Sequence, residues 1–275
     1  MTTADPAPNP NPHSHSHPYG AAETHATGSA DRFHGAQVHD TGFADDDGSA
    51  DPVLAQAMLR AAAARQQAET VAAGLVQTGT GQDLSDVVEA LRGGRLLVAL
   101  VAVLDSTDPL GSEKDSHLAA AMWSRPDGRV GLLAFSSVDA MRRWRSDARP
   151  LPTAAATVAQ AALQDGADAL VLDLAGPATV VIEGPALWAV AEGRALLAAD
   201  QDSQVAKRVA AAVHRALGEI SHRVTATDEV DLLVLLGSEA AAAPDAVTAL
   251  ATDLAQDPVL RSRVARGIHI GVESN

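Results

Sequence analysis

The sequence predicts an α+β protein: two small α/β sandwich domains with mixed or antiparallel sheets, preceded by a disordered tail and one helix. Three observations predict it. Apolar runs of strand length alternate with segments whose apolar residues recur at helical spacing. The turn Arg125-Pro126-Asp127-Gly128 joins two of those runs as an antiparallel hairpin, Pro presetting its φ and Gly supplying the positive dihedral. Residues 1–50 carry Pro, His, Asn, Gly, Thr and Asp with almost no Val, Leu or Ile, too little apolar surface to offset the entropy of ordering. The expected division is a tail over 1–50, a helix and linker over 51–82, a first domain over 83–195 and a second over 200–275.

Structure begins at Asp51-Pro52, where Asp can cap a helix and Pro can take its first position. Leu54, Met58, Ala61, Ala62 and Arg65 then follow at helical spacing to about Glu69. This helix either docks on the body or serves a partner. Gly74, Gly79 and Gly81 mark a connector. A short helix through Leu84, Val87, Val88 and Leu91 stops at Gly93-Gly94, and residues 96–103 form the continuous apolar run of a strand buried on both faces. After a polar loop over 105–116 come the hairpin strands, 118–123 and 130–135. Ser136 or Ser137 caps a helix through Val138, Met141 and Trp144, with Asp139 near its positive end. A second helix from Thr153 ends at Gly166 and leads to an apolar strand over 169–174. The Ala175-Gly176-Pro177 loop, a strand over 179–182 and a helix through Leu187 and Trp188 finish the first domain.

The second domain opens with a helix at Asp202-Ser203, whose Val205, Val209, Ala212, Val213, Ala216 and Leu217 line one stripe. A strand near Ile220 and Val224, an apolar strand over 232–236, a helix over 244–255, a short helix after Asp257-Pro258 and a strand over 268–272 follow. The order α-β-β-α-β predicts helices on one face of an antiparallel sheet.

The formal net charge of −15 opposes phosphate backbones and anionic lipid. Neither nucleic acid nor membrane is therefore expected as a partner. Residues 1–47 hold seven acidic residues against one arginine, so the body is milder than the total. The densest basic stretch, Arg142, Arg143, Arg145 and Arg149, reads as a solvated helix face, with an anion or partner site as the sharper alternative. Zero cysteines remove disulfides, thiolate metal sites and Cys nucleophiles. The N-terminus lacks a basic segment followed by an apolar run, and residues 96–104 are about half the length of a membrane helix, so a cytoplasmic location is expected.

Taken together, the run at 96–103, Glu113-Lys114, the Asp-Gly-Arg hairpin and Leu133-Ala134-Phe135-Ser136 carry a resemblance, joined by Met141-Arg142-Arg143-Trp144, Ala148-Arg149-Pro150-Leu151-Pro152 and Leu172-Asp173-Leu174-Ala175-Gly176-Pro177. This ordered series resembles the SseB, or enhanced serine sensitivity, family in its actinobacterial form. The resemblance covers residues 84–193 and, more loosely, a second unit like the family's C-terminal domain. It implies a bacterial cytoplasmic protein of two α/β domains that touches amino-acid metabolism through another protein. It carries no catalytic motif.

Candidate chemistry is sparse. His13, His15 and His17 alternate in the tail, with His25, His34, His39 and Asp45, Asp46 and Asp47 beyond. Imidazole and carboxylate suit Zn, Ni or Cu, although a solvating tail explains the same composition. Body histidines His117, His214, His222 and His269 lack zinc spacing. Asp115-Ser116-His117 is triad-like only in one dimension, since neighbours on an extended chain point to opposite faces. Gly79-Thr80-Gly81 fails the dinucleotide fingerprint, and no cofactor is expected. The polar loop residues Lys114, Asp115, Arg149 and Asp173 are the candidate binding set. If they converge, they form a polar cleft for a peptide segment or small zwitterion; the plainer reading pairs Asp173 with Arg149 and leaves Lys114 solvated.

The leading expectation is a non-catalytic interaction or regulatory protein of unidentified protein partner, its first domain supplying the surface and its second supporting it or mediating self-association as a homo-oligomer. The alternatives are an enzyme of unrecognised class acting on a small polar substrate, and metal capture by the His-rich tail.

Overall fold

The computed structural model describes residues 24–25, 42–43, 45–71, 81–104 and 116–273. In chain order, the first unit comprises β1 (Thr24–His25), α1 (Pro52–Val71), α2 (Gly81–Leu91), β2 (Arg95–Leu104), β3 (Ser116–Ala120), β4 (Met122–Ser124), β5 (Val130–Phe135) and α3 (Val138–Trp144). It continues through β6 (Arg149–Ala154), α4 (Ala155–Gln164), β7 (Ala169–Leu172), β8 (Val180–Glu183) and α5 (Gly184–Ala191). The second comprises α6 (Ser203–Leu217), β9 (His222–Thr225), β10 (Leu232–Leu236), α7 (Pro244–Gln256), α8 (Pro258–Arg261) and β11 (Ile268–Val272).

The spine of the large sheet runs β6-β2-β5-β7-β8, mixed because β5 and β7 are parallel while the other pairs are antiparallel. Toward one end β2 also pairs with β3, and β5 with β4, which in turn pairs with β1. Pleating sends alternate residues to opposite faces. Leu96, Val98, Leu132, Ala134, Leu170, Leu172, Val180 and Ile182 pack beneath α1, α2, α4 and α5. Leu97, Ala99, Leu133, Phe135 and Val171 pack on the other side beneath α3. Burial on both faces is why β2 reads as an unbroken apolar run.

Helix α1 docks instead of standing free. The Asp51 carboxylate accepts from the N–H groups of Val53 and Leu54 at 2.7 and 3.0 Å, and Leu54, Ala57, Met58 and Ala61 enter the core at helical spacing. The hairpin turn closes as expected: Gly128 N–H donates to Arg125 O at 3.0 Å, with Gly128 at φ 87°. Ser137 caps α3, its Oγ accepting from Ala140 N–H.

Two elements differ from expectation. Residues 149–154 form an edge strand, where the sequence reading placed Arg149 in a loop and the start of a helix at Thr153. Pro150 lies opposite Ala99 and Pro152 opposite Leu97, so their missing N–H groups fall on the free edge while Leu151 and Thr153 carry the ladder. In the second unit β10 pairs antiparallel with β9 but parallel with β11, so this sheet is mixed too. Its inner face, Leu232, Val234 and Leu236, packs on Val205, Val209 and Val213 of α6 and Leu250 and Leu254 of α7. Arg263 joins the units at short range, reaching Asp202 at 2.8 Å and Glu192 at 3.4 Å.

No helix among the described residues is long and apolar enough to cross a membrane. The α3 face is packed around Phe135, which is fully buried and stacks on Trp144 with centroids 5.5 Å apart. Phe135→Ala is expected to cost about 3–5 kcal/mol by urea unfolding; a loss below about 1 kcal/mol would mean that α3 does not seal this face.

Candidate functional site

The corner between β5 and α3 is built around Ser136, whose three polar groups are all committed. Its N–H donates to Asp173 Oδ1 at 2.7 Å and its hydroxyl to Asp173 Oδ2 at 2.6 Å, while its carbonyl accepts from Arg95 Nη1. Asp173 ends β7 in the left-handed region at φ 51°, a conformation Asp tolerates better than most residues. Its backbone is held in turn: Asp173 N–H donates to Ala134 O, and its carbonyl accepts from Gly176 N–H at 2.8 Å and Thr179 Oγ1 at 3.0 Å. A Cβ at Gly176 would stand 2.9 Å from that carbonyl, so the tight loop requires glycine there.

On the far side of Ser136, the Arg95 guanidinium grips the segment leading into α1. Its Nε and Nη2 donate to the two carboxylate oxygens of Asp46, Nη2 at 2.8 Å, and Nη2 also donates to Ser49 O. Both side chains of this bidentate pair are largely covered, at 13% and 9% exposure. The Gly48 carbonyl accepts from Val138 N–H at 2.9 Å. Residues 45–50, placed by the sequence reading in the tail, thus form a strap across the foot of α3.

Strap, α3 and the β7–β8 loop enclose an open cleft of about 620 Å³. Met58, Leu59 and Pro177 line its apolar part, and Asp139, Arg142 and Arg143 its charged part. Arg142 and Arg143 are exposed. Asp173 lies at the floor, and burial pushes its carboxyl above the ordinary value, against the pull of the Ser136 hydrogen bonds and of Arg143. Asp46 moves the other way, held below the ordinary value chiefly by its hydrogen bond from Arg95.

Of the candidate binding residues, Asp173 is in the cleft. Arg149 is not: it is exposed at the start of β6, with β2 and β5 between it and β7, and the expected Arg149–Asp173 pair is not formed. The cation that Asp173 feels is Arg143. Lys114 and Asp115 lie outside the described residues, as do the metal candidates His13, His15 and His17. Among the described residues no three His, Asp or Glu side chains gather as a metal site, and Asp46, grouped with the tail histidines by composition, is occupied by Arg95. Sequence reasoning missed Arg95, Asp46 and Ser136. Ser136 had a signal as a candidate helix cap, whereas the Arg95–Asp46 pair spans 49 residues without a local signature.

Replacing Asp173 separates charge from hydrogen bonding. Asp173→Ala leaves the buried Ser136 N–H without an acceptor and is expected to cost about 1–3 kcal/mol, while Asp173→Asn keeps an acceptor and costs less. A carboxyl raised in the native state contributes its stability fully below the unfolded value, 3.8, and loses it as pH rises through the native value. Wild type is therefore expected to lose stability relative to Asp173→Asn across that window, as read from urea midpoints at a series of pH values. Parallel curves would show that Asp173 does not titrate there.

No curated protein and no solved structure matches the chain. Residues 69–189 match the model of the SseB protein N-terminal domain. That span reaches from the last residues of α1 into α5 and holds Arg95, Ser136, Arg142, Arg143 and Asp173. Residues 69–189 are thus similar to the N-terminal domain of SseB proteins.

Proposed function

We propose that the chain is a non-catalytic regulatory protein of the bacterial cytoplasm that works by binding a segment of another protein in the α3 cleft, with its connection to amino-acid metabolism made through that partner. The observation that supports this reading is the cleft itself, an open trough of about 620 Å³ with apolar Met58, Leu59 and Pro177 beside the exposed cations Arg142 and Arg143. A trough open to water suits a chain segment that lays apolar side chains against one wall and charges against the other. Acid-base catalysis gains from a water-excluding site with ionisable partners at bonding distance. Here the buried carboxylate of Asp173 is spent on Ser136, in a structural corner.

The polarity of the trough favours an acidic segment. Arg142 and Arg143 lie exposed in the last turn of α3, and among the described residues neither forms a salt bridge, so both guanidinium groups can receive an acidic segment. The affinity-purified protein, incubated with its native cytoplasmic extract, is expected to retain a discrete partner by mass spectrometry. The Arg142→Glu/Arg143→Glu chain is expected to recover at least tenfold less of it, and Lys207→Glu, exposed on α6, to recover it undiminished. Equal recovery by all three chains would overturn the assignment of this surface.

A further inference from the structure

The strap is held to the body by polar bonds to Arg95 and to the Val138 N–H, and none of its residues is fully buried. It is followed at once by α1, which is anchored through Leu54, Ala57, Met58 and Ala61. A segment held by a few polar bonds beside a firmly packed helix belongs to the low-stability end of a structure, able to open while the core stays folded. What it leaves when it opens is a built receptor. The Arg95 fork has a fixed orientation, because Nη1 is tied to Ser136 O, and Ser136 is itself clamped by Asp173. Beside the fork is the Val138 N–H that now receives the Gly48 carbonyl.

We infer that the Arg95 pocket is a recognition site for an acidic turn, occupied in this chain by its own residues 46–49, and that a partner protein docks by placing an Asp-containing turn on Arg95 in the strap's stead. This rests on the reading of the α3 face as a binding surface and names the partner's chemistry. The strap itself defines the ligand. A carboxylate takes both Nε and Nη2, a carbonyl three residues later takes Nη2 again, and the intervening turn folds back so that Gly48 N–H donates to Asp46 Oδ1 at 2.9 Å. The residue two after the carboxylate is glycine for a physical reason: its φ is 76°, and a Cβ would stand 2.5 Å from Val138 Cγ2. The ligand class is therefore an Asp-x-Gly turn with a free backbone carbonyl following it. Strap and cleft share a wall, since Asp47, Gly48 and Ser49 line the cleft together with Arg142 and Arg143. Strap release would both bare Arg95 and widen the trough, and the tethered strap competes with any partner at an effective concentration on the order of millimolar.

The test uses the full chain and a fluorescein-labelled peptide of residues 43–51, read by fluorescence anisotropy. Wild type, its pocket filled in cis, is expected to bind the peptide at least tenfold more weakly than the Asp46→Ala chain, whose strap is unhooked. A peptide carrying Asp46→Asn, or an Asp46→Ala/Arg95→Lys chain, is expected to lose at least tenfold in affinity. Equal binding by wild type and a folded Asp46→Ala chain, or tight binding indifferent to the peptide's carboxylate, overturns the inference. Should Asp46→Ala fail to fold, the wild type decides alone by hydrogen exchange. The Val138 amide, whose acceptor is in the strap, is expected to exchange at least a hundredfold faster than the β2 amides, and exchange as slow as theirs shows a strap that does not open. A concentration-dependent dimer abolished by Asp46→Ala would make a second copy the occupant and overturn the inference likewise. Peptide binding at Arg95 and partner recovery through Arg142 and Arg143 are separate readouts, so either can fail while the other stands.

Discussion

A guanidinium largely withdrawn from water at the edge of an apolar sheet is the constraint around which this domain is arranged. Arg95 opens β2, the strand on which both hydrophobic layers rest, and its donors cannot go unpaired without a penalty of kilocalories. The chain meets the demand from two directions. The β5–α3 corner supplies Ser136 O, and the segment before α1 supplies the Asp46 carboxylate and Ser49 O. Because Ser136 is also the residue that Asp173 grasps, one polar chain runs Asp46, Arg95, Ser136, Asp173 from the strap to the end of β7. The foot of α3 is fixed by that chain as much as by the packing of Phe135 on Trp144.

The two faces of the large sheet are covered unequally, and the inequality locates the site. Four helices close one face; the seven-residue α3 closes the other. A short helix leaves its flanks open, and the loops that follow β5 and β7 rise beside it, so a trough forms where strand ends, helix and strap meet. Its electrostatics are local. The carboxylate at its floor and the one in the adjoining strap shift in opposite senses: Asp173, raised by burial, gives up stability as pH rises, whereas Asp46, lowered by Arg95, gives up stability as pH falls through its native value.

Much of the fold was legible because local chemistry and tertiary structure agree. The β2 run, the Pro-Asp-Gly hairpin, the Asp51, Ser137 and Asp202 caps and the α6 stripe all sit where periodicity and capping place them. What stayed hidden depends on pairing across the chain. The edge strand β6 was masked by Pro150 and Pro152, which signal a turn in any local reading and are tolerated only because their outer edge is unpaired. Losing that strand misplaced Arg149, which then looked like a neighbour of Asp173. The strap was masked by composition: Asp45, Asp46 and Asp47 have the character of a solvating tail, and only a cation 49 residues away converts one of them into a partly covered ion-pair partner. Asp173 was legible by its position at a strand end beside a Gly-Pro loop, but not its partner, since Ser136 lies 37 residues earlier.

Recognition of an acidic turn by a protein of net charge −15 has a kinetic consequence. The long-range field of the whole molecule repels such a partner, whereas Arg142, Arg143 and, once uncovered, Arg95 attract it at short range. Salt screens the first effect over a Debye length of about 8 Å at physiological ionic strength, yet acts far less on a pair held within a covered pocket. Raising the salt should therefore speed association by weakening the global repulsion and leave dissociation, governed by the short-range Arg95 contacts, nearly unchanged. This is the reverse of ordinary electrostatic steering, in which added salt slows encounter. An association rate that falls with salt would place the decisive attraction on the exposed cations of α3 instead of in the Arg95 pocket.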